Sequence, residues 1–192
     1  MKTATINEKQ IVVDLLTLSF MDNQSVNYII RQDERKAKRI RALMDYSYEV
    51  CKEFGEVWLS DDAKACALVL YPQRKRTTIK SIWLDLKLIF QAIGLENIQK
   101  AFGRESKIKK QQPKINMMYL WFIGVDPEHQ HLGIGSSLLK EVLEKAGNEN
   151  LPTYLETSTL INLPWYEKYG FEIYNRLELG YTLFFLKHEP NK

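Results

Sequence analysis

The sequence predicts a mixed α/β or α+β domain, on three observations. Amphipathic helical stretches and strand-like runs both occur, in the order helices and strands first, then strand–helix–strand–helix–strand–strand. The run from Ile115 to Val125 is apolar at both alternating sets of positions, the mark of a central strand covered on both faces. Between that run and an amphipathic segment, Ser136 to Ala146, lies a glycine turn, Gln130-His131-Leu132-Gly133-Ile134-Gly135-Ser136. At 192 residues the chain suits one domain, residues 1–192, with a full core.

Each element has a local signal. Glu8 to Phe20 reads as a helix burying Ile11, Val12, Leu15, Leu16 and Leu18. Asp33 to Phe54 reads as a longer helix whose stripe is Ile40, Leu43, Met44, Tyr48 and Cys51, stopped by Gly55. Glu56 to Ser60 and Lys64 to Tyr71 form a strand pair turning at Asp61-Asp62. Thr77 to Ile93 is helical, with Ile82, Leu86, Ile89 and Ile93 in register and Gly94 at its end. Leu95 to Lys110 is a second helix, interrupted near Gly103. The helix after the glycine turn buries Leu138, Leu139, Val142, Leu143 and Ala146, with Gly147 ending it. Thr153 to Ser158 is a strand. Asn162 to Tyr169 is a short helix that Asn162 caps, Pro164 starts and Gly170 closes. Phe171 to Tyr174 and Leu179 to Lys187 are the last strands.

Composition is that of an ordinary soluble chain, 45% hydrophobic and 27% charged. The N-terminus lacks a signal-peptide apolar region, and the longest apolar run is too short to cross a bilayer as a helix. Two cysteines, Cys51 and Cys66, have no metal-ligand spacing, so a reduced, cytoplasmic protein without a metal is expected. The net charge of +3 hides an asymmetry: residues 73–114 hold 11 Lys/Arg against 3 Asp/Glu. This basic helical connection is either a solvated face or a wall that attracts an anion. No helix-turn-helix or aromatic-interleaved motif accompanies it, which argues against a nucleic-acid partner.

A glycine turn opening a helix gathers free backbone N–H groups and the positive end of the helix dipole, an anion site. A Walker loop requires a lysine after its second glycine, where this chain has Ser136. A dinucleotide fingerprint requires a third glycine, where this chain has Leu138. The third class fits. Gln130-x-x-Gly133-x-Gly135, preceded by Gly124-Val125-Asp126-Pro127, resembles the acetyl-CoA loop of the GNAT superfamily of N-acyltransferases. Asn162-Leu163-Pro164-Trp165-Tyr166-Glu167-Lys168-Tyr169-Gly170-Phe171 is similar to that family's Asn-x-x-x-Tyr-x-Lys-x-Gly-Phe segment, with Leu155-Glu156-Thr157-Ser158 before it resembling its fifth strand. The resemblance covers Met117 to Phe171; before Ile115 it rests on element order, and the first strand is hard to see.

The resemblance implies a mixed, mostly antiparallel central sheet flanked by helices and splayed at strands 4 and 5. It makes residues 115–171 the acetyl-CoA-binding core and 73–114 an insertion or lid. Amides from His131 through Leu132, Gly133, Ile134 and Gly135 to Ser136 ring the pyrophosphate, with Gln130 bonding the loop or the ligand. The strand edge at Ile123, Gly124 and Val125 pairs with the pantetheine arm, where Gly124 suits a bulge or a close approach. Asn162 caps its helix and bonds the pantetheine amides. Tyr166 is the general acid for the departing thiolate, and Glu156 the general base for the amine, directly or through water. His129, Trp165 and Tyr169 are expected to be surface or packing residues. The implied reaction is acetyl transfer from acetyl-CoA to a primary amine of a small acceptor by a monomer or homodimer, with neither nucleic acid nor membrane as partner. The alternative is a non-catalytic acyl-CoA sensor or regulatory domain.

Overall fold

The structure, a computed structural model, describes residues 1–190. A short first strand, β1 (Lys2–Thr3), leads through a 3-10 turn into α1 (Lys9–Ser19), α2 (Gln24–Ile29) and α3 (Lys36–Phe54). A hairpin follows, β2 (Gly55–Leu59) and β3 (Ala65–Leu70). The basic connection forms α4 (Ile79–Leu88), a π-helical turn (Ile89–Ile93) and α5 (Ile98–Gln111). The remainder is β4 (Met118–Val125), α6 (Ile134–Asn148), β5 (Thr153–Thr157), α7 (Leu163–Lys168), β6 (Glu172–Glu178) and β7 (Thr182–His188).

The seven strands make one sheet in the order β1-β2-β3-β4-β5-β7-β6, antiparallel except for the β4–β5 pair. That pair holds at only two positions, Met118 with Thr153 and Tyr119 with Tyr154, after which the strands part. The mixed, mostly antiparallel sheet with its splay at strands 4 and 5 is therefore present.

A register shift in the β3–β4 ladder sets the phase of β4. Leu68 pairs with Phe122 and Val69 with Leu120, so Trp121 is the extra residue of a bulge. Before it, Met118 and Leu120 pack under α6; after it, Ile123 and Val125 do, while Tyr119, Trp121 and Phe122 face the opposite core. The bulge lies three residues before Gly124. At Gly124 a Cβ would stand 3.0 Å from Leu16 Cδ2 and 3.1 Å from Ser19 Oγ, so this glycine serves the close approach of α1 to the strand.

Two cores flank the sheet. One joins α1 and α3 to β2–β4 through Val12, Leu16, Ile40, Met44, Cys51, Leu68 and Phe122. The other joins α6 and α7 through Leu138, Leu139, Val142, Leu155, Tyr166 and Phe171. A smaller cluster, Ile108 with Leu179, Leu183 and Phe185, seats α5 on the β6–β7 hairpin. Both cysteines are buried free thiols.

Several expectations are corrected. Ile11 and Leu18 are exposed, and α1 instead buries Val13 and Thr17 beside Val12, Leu15 and Leu16. On α4 the buried residue is Leu84, while Ile82 and Leu86 face outward. Gly103 does not interrupt α5, which runs unbroken to Gln111. Ile115 lies outside β4 and is exposed, and Gly147 lies inside α6. Asn162 has helical backbone angles and makes no side-chain cap, because a 3-10 turn (Leu160–Asn162) precedes α7 and already engages its first amides. Gly55 stops α3 for a reason other than a left-handed turn: a Cβ there would lie 2.0 Å from the Val69 carbonyl oxygen.

Candidate active site

The glycine turn does what its residue types allow. Asp126 opens it, accepting from the Glu128 amide at 3.0 Å and lying 3.3 Å from His129 Nδ1. His129 is thus half-buried against a carboxylate rather than free on the surface. His131 (φ 64°) and Gly133 (φ 84°) both turn left-handed, and Gly133 stands at the N-cap of α6 with open space where a Cβ would be. Gly135 has a different role: a Cβ there would meet Val125 Cγ2 at 2.9 Å. One glycine permits the turn; the other lets the helix start touch the end of β4. Gln130, His131, Leu132 and Gly133 are exposed, while Ile134, Gly135 and Ser136 are partly covered by the fold. The first amides of a 15-residue helix thereby face solvent beside the β4–β5 split.

The split supplies the second half. From Leu120 onward β4 has no ladder to β5, so an edge that includes Ile123 and Gly124 is available to an added strand. At Val125 the carbonyl is tied to Ser19 Oγ at 2.8 Å, which fixes where the free edge ends. Across the split, the Ser158 hydroxyl, just past β5, is buried with no protein partner among the described residues. A buried orphan hydroxyl beside an unpaired strand edge fits a ligand that carries amides.

The two motif halves are bonded to each other. Trp165 Nε1 on α7 donates to Ser136 Oγ on α6 at 3.0 Å, and the Trp165 ring packs at a tilt against Tyr166 with ring centroids 4.7 Å apart. Sequence reasoning missed this bond, because nothing local in either segment marks it. Tyr166 itself is 5% exposed and packed against Phe171. Burial alone pushes its hydroxyl above the ordinary tyrosine range, so it stays protonated. Asn162 is half-buried beside it, with its side chain free of any helix cap.

Glu156 lies on the other face of the sheet. Its carboxylate accepts from the Tyr119 hydroxyl, through Oε2, and from Gln112 Nε2 at 2.9 Å, through Oε1. Burial pushes its pKa up from the ordinary carboxylate value, and these two hydrogen bonds oppose the shift. This glutamate sits in the seam between α1–α3, over β2–β4, and α5, over β6–β7. The basic connection forms one wall of that seam. Arg104 Nε donates to the Tyr181 hydroxyl at 3.0 Å, and Asn175 Nδ2 to Gln111 Oε1 at 2.5 Å. A surface groove of about 510 Å³ lies on the same wall, lined by Phe102, Glu105, Lys109, Gln112 and Lys114. Glu156 and Tyr166 thus lie on opposite faces of the sheet. No cluster of potential metal ligands occurs among the described residues.

Known proteins are similar to this chain in fold. Residues 95–173 match the family model described as an acetyltransferase (GNAT) domain. Among solved structures, a histone acetyltransferase HPA2 and related acetyltransferase from Corynebacterium glutamicum is similar at 17% identity and TM-score 0.72, with 100% of this chain and 96% of that one covered. Arylalkylamine N-acetyltransferase 2 from Aedes aegypti is similar at 15% identity and TM-score 0.66, covering 99% and 98%. A PaiA N-acetyltransferase from Thermoplasma acidophilum, solved in complex with coenzyme A, is similar at 11% identity and TM-score 0.58, covering 98% and 96%. At such identities the likeness is one of fold. The splayed sheet, the glycine turn at the split and the whole-chain likeness together make this a chain with the GNAT fold, whose residues 95–173 match the acetyltransferase (GNAT) family model.

Proposed function

We propose that the protein transfers an acetyl group from acetyl-CoA to a primary amine of a small acceptor, by direct attack, in the cytoplasm. The observation that carries this reading is the β4–β5 split, paired at two positions only, with the α6 N-terminus at its mouth and Glu156 behind it. The amides of His131 to Ser136 hold the pyrophosphate, and Gln130 braces the loop or the ligand. The β4 edge at Ile123, Gly124 and Val125 pairs with the pantetheine arm, and Asn162 bonds its amides from α7. The solved relative bound to coenzyme A supports this donor.

The chemistry then divides between the two faces. The amine enters along the seam, and Glu156, directly or through water, takes the proton that its nitrogen sheds on forming the new C–N bond. The C–S bond breaks as the tetrahedral intermediate collapses, and the Tyr166 hydroxyl protonates the departing thiolate. Exchange with solvent restores both groups. A raised Glu156 pKa makes its carboxylate a stronger proton acceptor, and a buried, protonated Tyr166 suits an acid.

Titration calorimetry with acetyl-CoA, followed by an amine panel with a free-thiol readout, tests the reading. Saturable heat and thiol release with at least one primary amine are expected. Folded protein giving no heat at about 1 mM ligand overturns it. Binding without thiol release from any amine assigns the domain to the alternative, a non-catalytic acyl-CoA sensor.

A further inference from the structure

The helix α4 meets the core through Leu84 and Leu88, and ion pairs and a hydrogen bond fasten the margins of that contact to α3. Lys80 pairs with Glu49 of α3 at 2.9 Å, Lys87 with Asp45 at 2.8 Å, and Tyr46 donates to Asp85 at 2.7 Å. Only Leu84 is buried from this helix. The outward side is apolar: Ile79 is 90% exposed, Ile82 50%, Trp83 66%, Leu86 45% and Phe90, one turn further, 66%. At 100° per residue these five fall in one stripe about 100° wide. A helix that already has its core contact in Leu84 and Leu88 leaves this second apolar stripe uncovered, and a contiguous exposed apolar patch of this kind marks an interaction surface.

The surrounding charge selects the partner. Residues 73–93 hold five Lys/Arg against one Asp, and 73–114 carry a net +8 while the rest of the chain carries −5. Arg74, Lys75 and Arg76 lead into the helix, are exposed, and have no carboxylate within ion-pair distance among the described residues. A two-fold contact with a second copy would set this positive segment against itself. An anionic surface instead satisfies stripe and charge together. Trp, Phe, Ile and Leu on one side of a short helix, with unpaired Lys/Arg beside it, is the pattern of a helix lying in the plane of a bilayer interface. No helix among the described residues is long and apolar enough to cross a membrane.

We propose that the outward face of α4 docks the protein on an anionic lipid surface, with Trp83 and Phe90 inserted at the headgroup level and Arg74, Lys75 and Arg76 supplying the attraction. This differs from the expectation of no membrane partner and does not depend on the catalytic reading.

Flotation of the full chain with phosphatidylcholine vesicles, with and without phosphatidylglycerol, is the test. Retention only on the anionic vesicles, weakened by added salt, is expected, with a blue shift of tryptophan emission that Trp83→Phe removes. A Trp83→Ser/Phe90→Ser variant is expected to lose about tenfold or more in vesicle affinity while keeping its melting temperature and acetyl-CoA heat. No retention on anionic vesicles, or equal retention on neutral ones, overturns the proposal. So does a dimer that shields Trp83 without lipid, which would assign the face to a second copy. An emission shift with polyglutamate but not with vesicles would assign it to an acidic polypeptide.

Discussion

Trp165 donates its indole N–H to the Ser136 hydroxyl at 3.0 Å, and this one bond ties the α7 segment to the first turn of α6. Both segments border the β4–β5 split, so the bond sets the distance between the proposed pyrophosphate loop and the proposed acid, Tyr166. Trp165→Phe keeps most of the ring contact with Tyr166 and removes only the donor. A single neutral hydrogen bond is worth about 1 kcal/mol, roughly a fivefold change in an equilibrium constant. Acetyl-CoA affinity measured by calorimetry is expected to fall by about that factor. Ser136→Ala is expected to give the same loss, and the double variant no more than either single one, because both remove the same bond.

The two loop glycines are expected to fail differently. Gly133→Ala meets no atom but must hold φ at 84°, a cost of about 1–2 kcal/mol. Gly133→Asn is expected to recover part of it, since asparagine tolerates the left-handed region. Gly135→Ala keeps a helical backbone but puts a methyl 2.9 Å from Val125 Cγ2. Its cost of about 1–3 kcal/mol comes from pushing the end of β4 away, and no polar substitution recovers it. Denaturant melts of the three variants check the contrast.

The glycine turn, the central strand and the order of the last elements were legible because each rests on neighbours in sequence. Gly133 and Gly135 sit between an apolar run and an amphipathic one, and that local grammar names a strand, a turn and a helix start. The faces of α1 and α4 were not legible. Periodicity shows that Ile82, Leu86 and Trp83 share a side, but not whether that side meets the core; α3 offers Asp45, Glu49 and Glu53 where α4 packs, and these fasten Lys80 and Lys87 at the margins of the Leu84 and Leu88 contact. The bulge at Trp121 was also hidden, since every residue from Met117 to Phe122 is apolar or aromatic and either phase reads equally well. Glu156 was picked out from its strand, but its partners Tyr119 and Gln112 come from 37 and 44 residues away.

Part of the acid sensitivity should trace to the ion pair that anchors the basic connection. Arg39 grips Asp33 through Nε at 2.8 Å and Nη2 at 2.5 Å, and its Nη1 reaches the Gln91 carbonyl at 3.4 Å. The guanidinium holds the Asp33 carboxyl down at about 2, against an ordinary value of 3.8. A depressed carboxylate stabilises the fold above its unfolded pKa and loses that contribution as pH falls from about 4 toward 2. Melting temperature followed across that window should drop, and Asp33→Asn should flatten the drop while lowering the melting temperature at neutral pH. An unchanged acid limb in Asp33→Asn would place the sensitivity elsewhere.

Glu156 shifts the other way, and the sign reverses. Burial raises its pKa, so the folded state favours the neutral acid and loses stability as pH rises through the interval between the unfolded and folded values. For a general base the same shift sets activity: kcat/KM should rise with pH to a plateau, with its acid limb above the ordinary glutamate value of 4.5. Gln112→Leu removes one donor that favours the ionised carboxylate. It should therefore move the limb to higher pH while leaving the plateau nearly unchanged, because the base itself survives. Glu156→Gln should cut the plateau by about a hundredfold or more and abolish the limb. A Glu156→Gln enzyme that keeps both the plateau and the limb would show that another group accepts the amine proton, and that Glu156 serves to fasten Gln112 and Tyr119 across the seam.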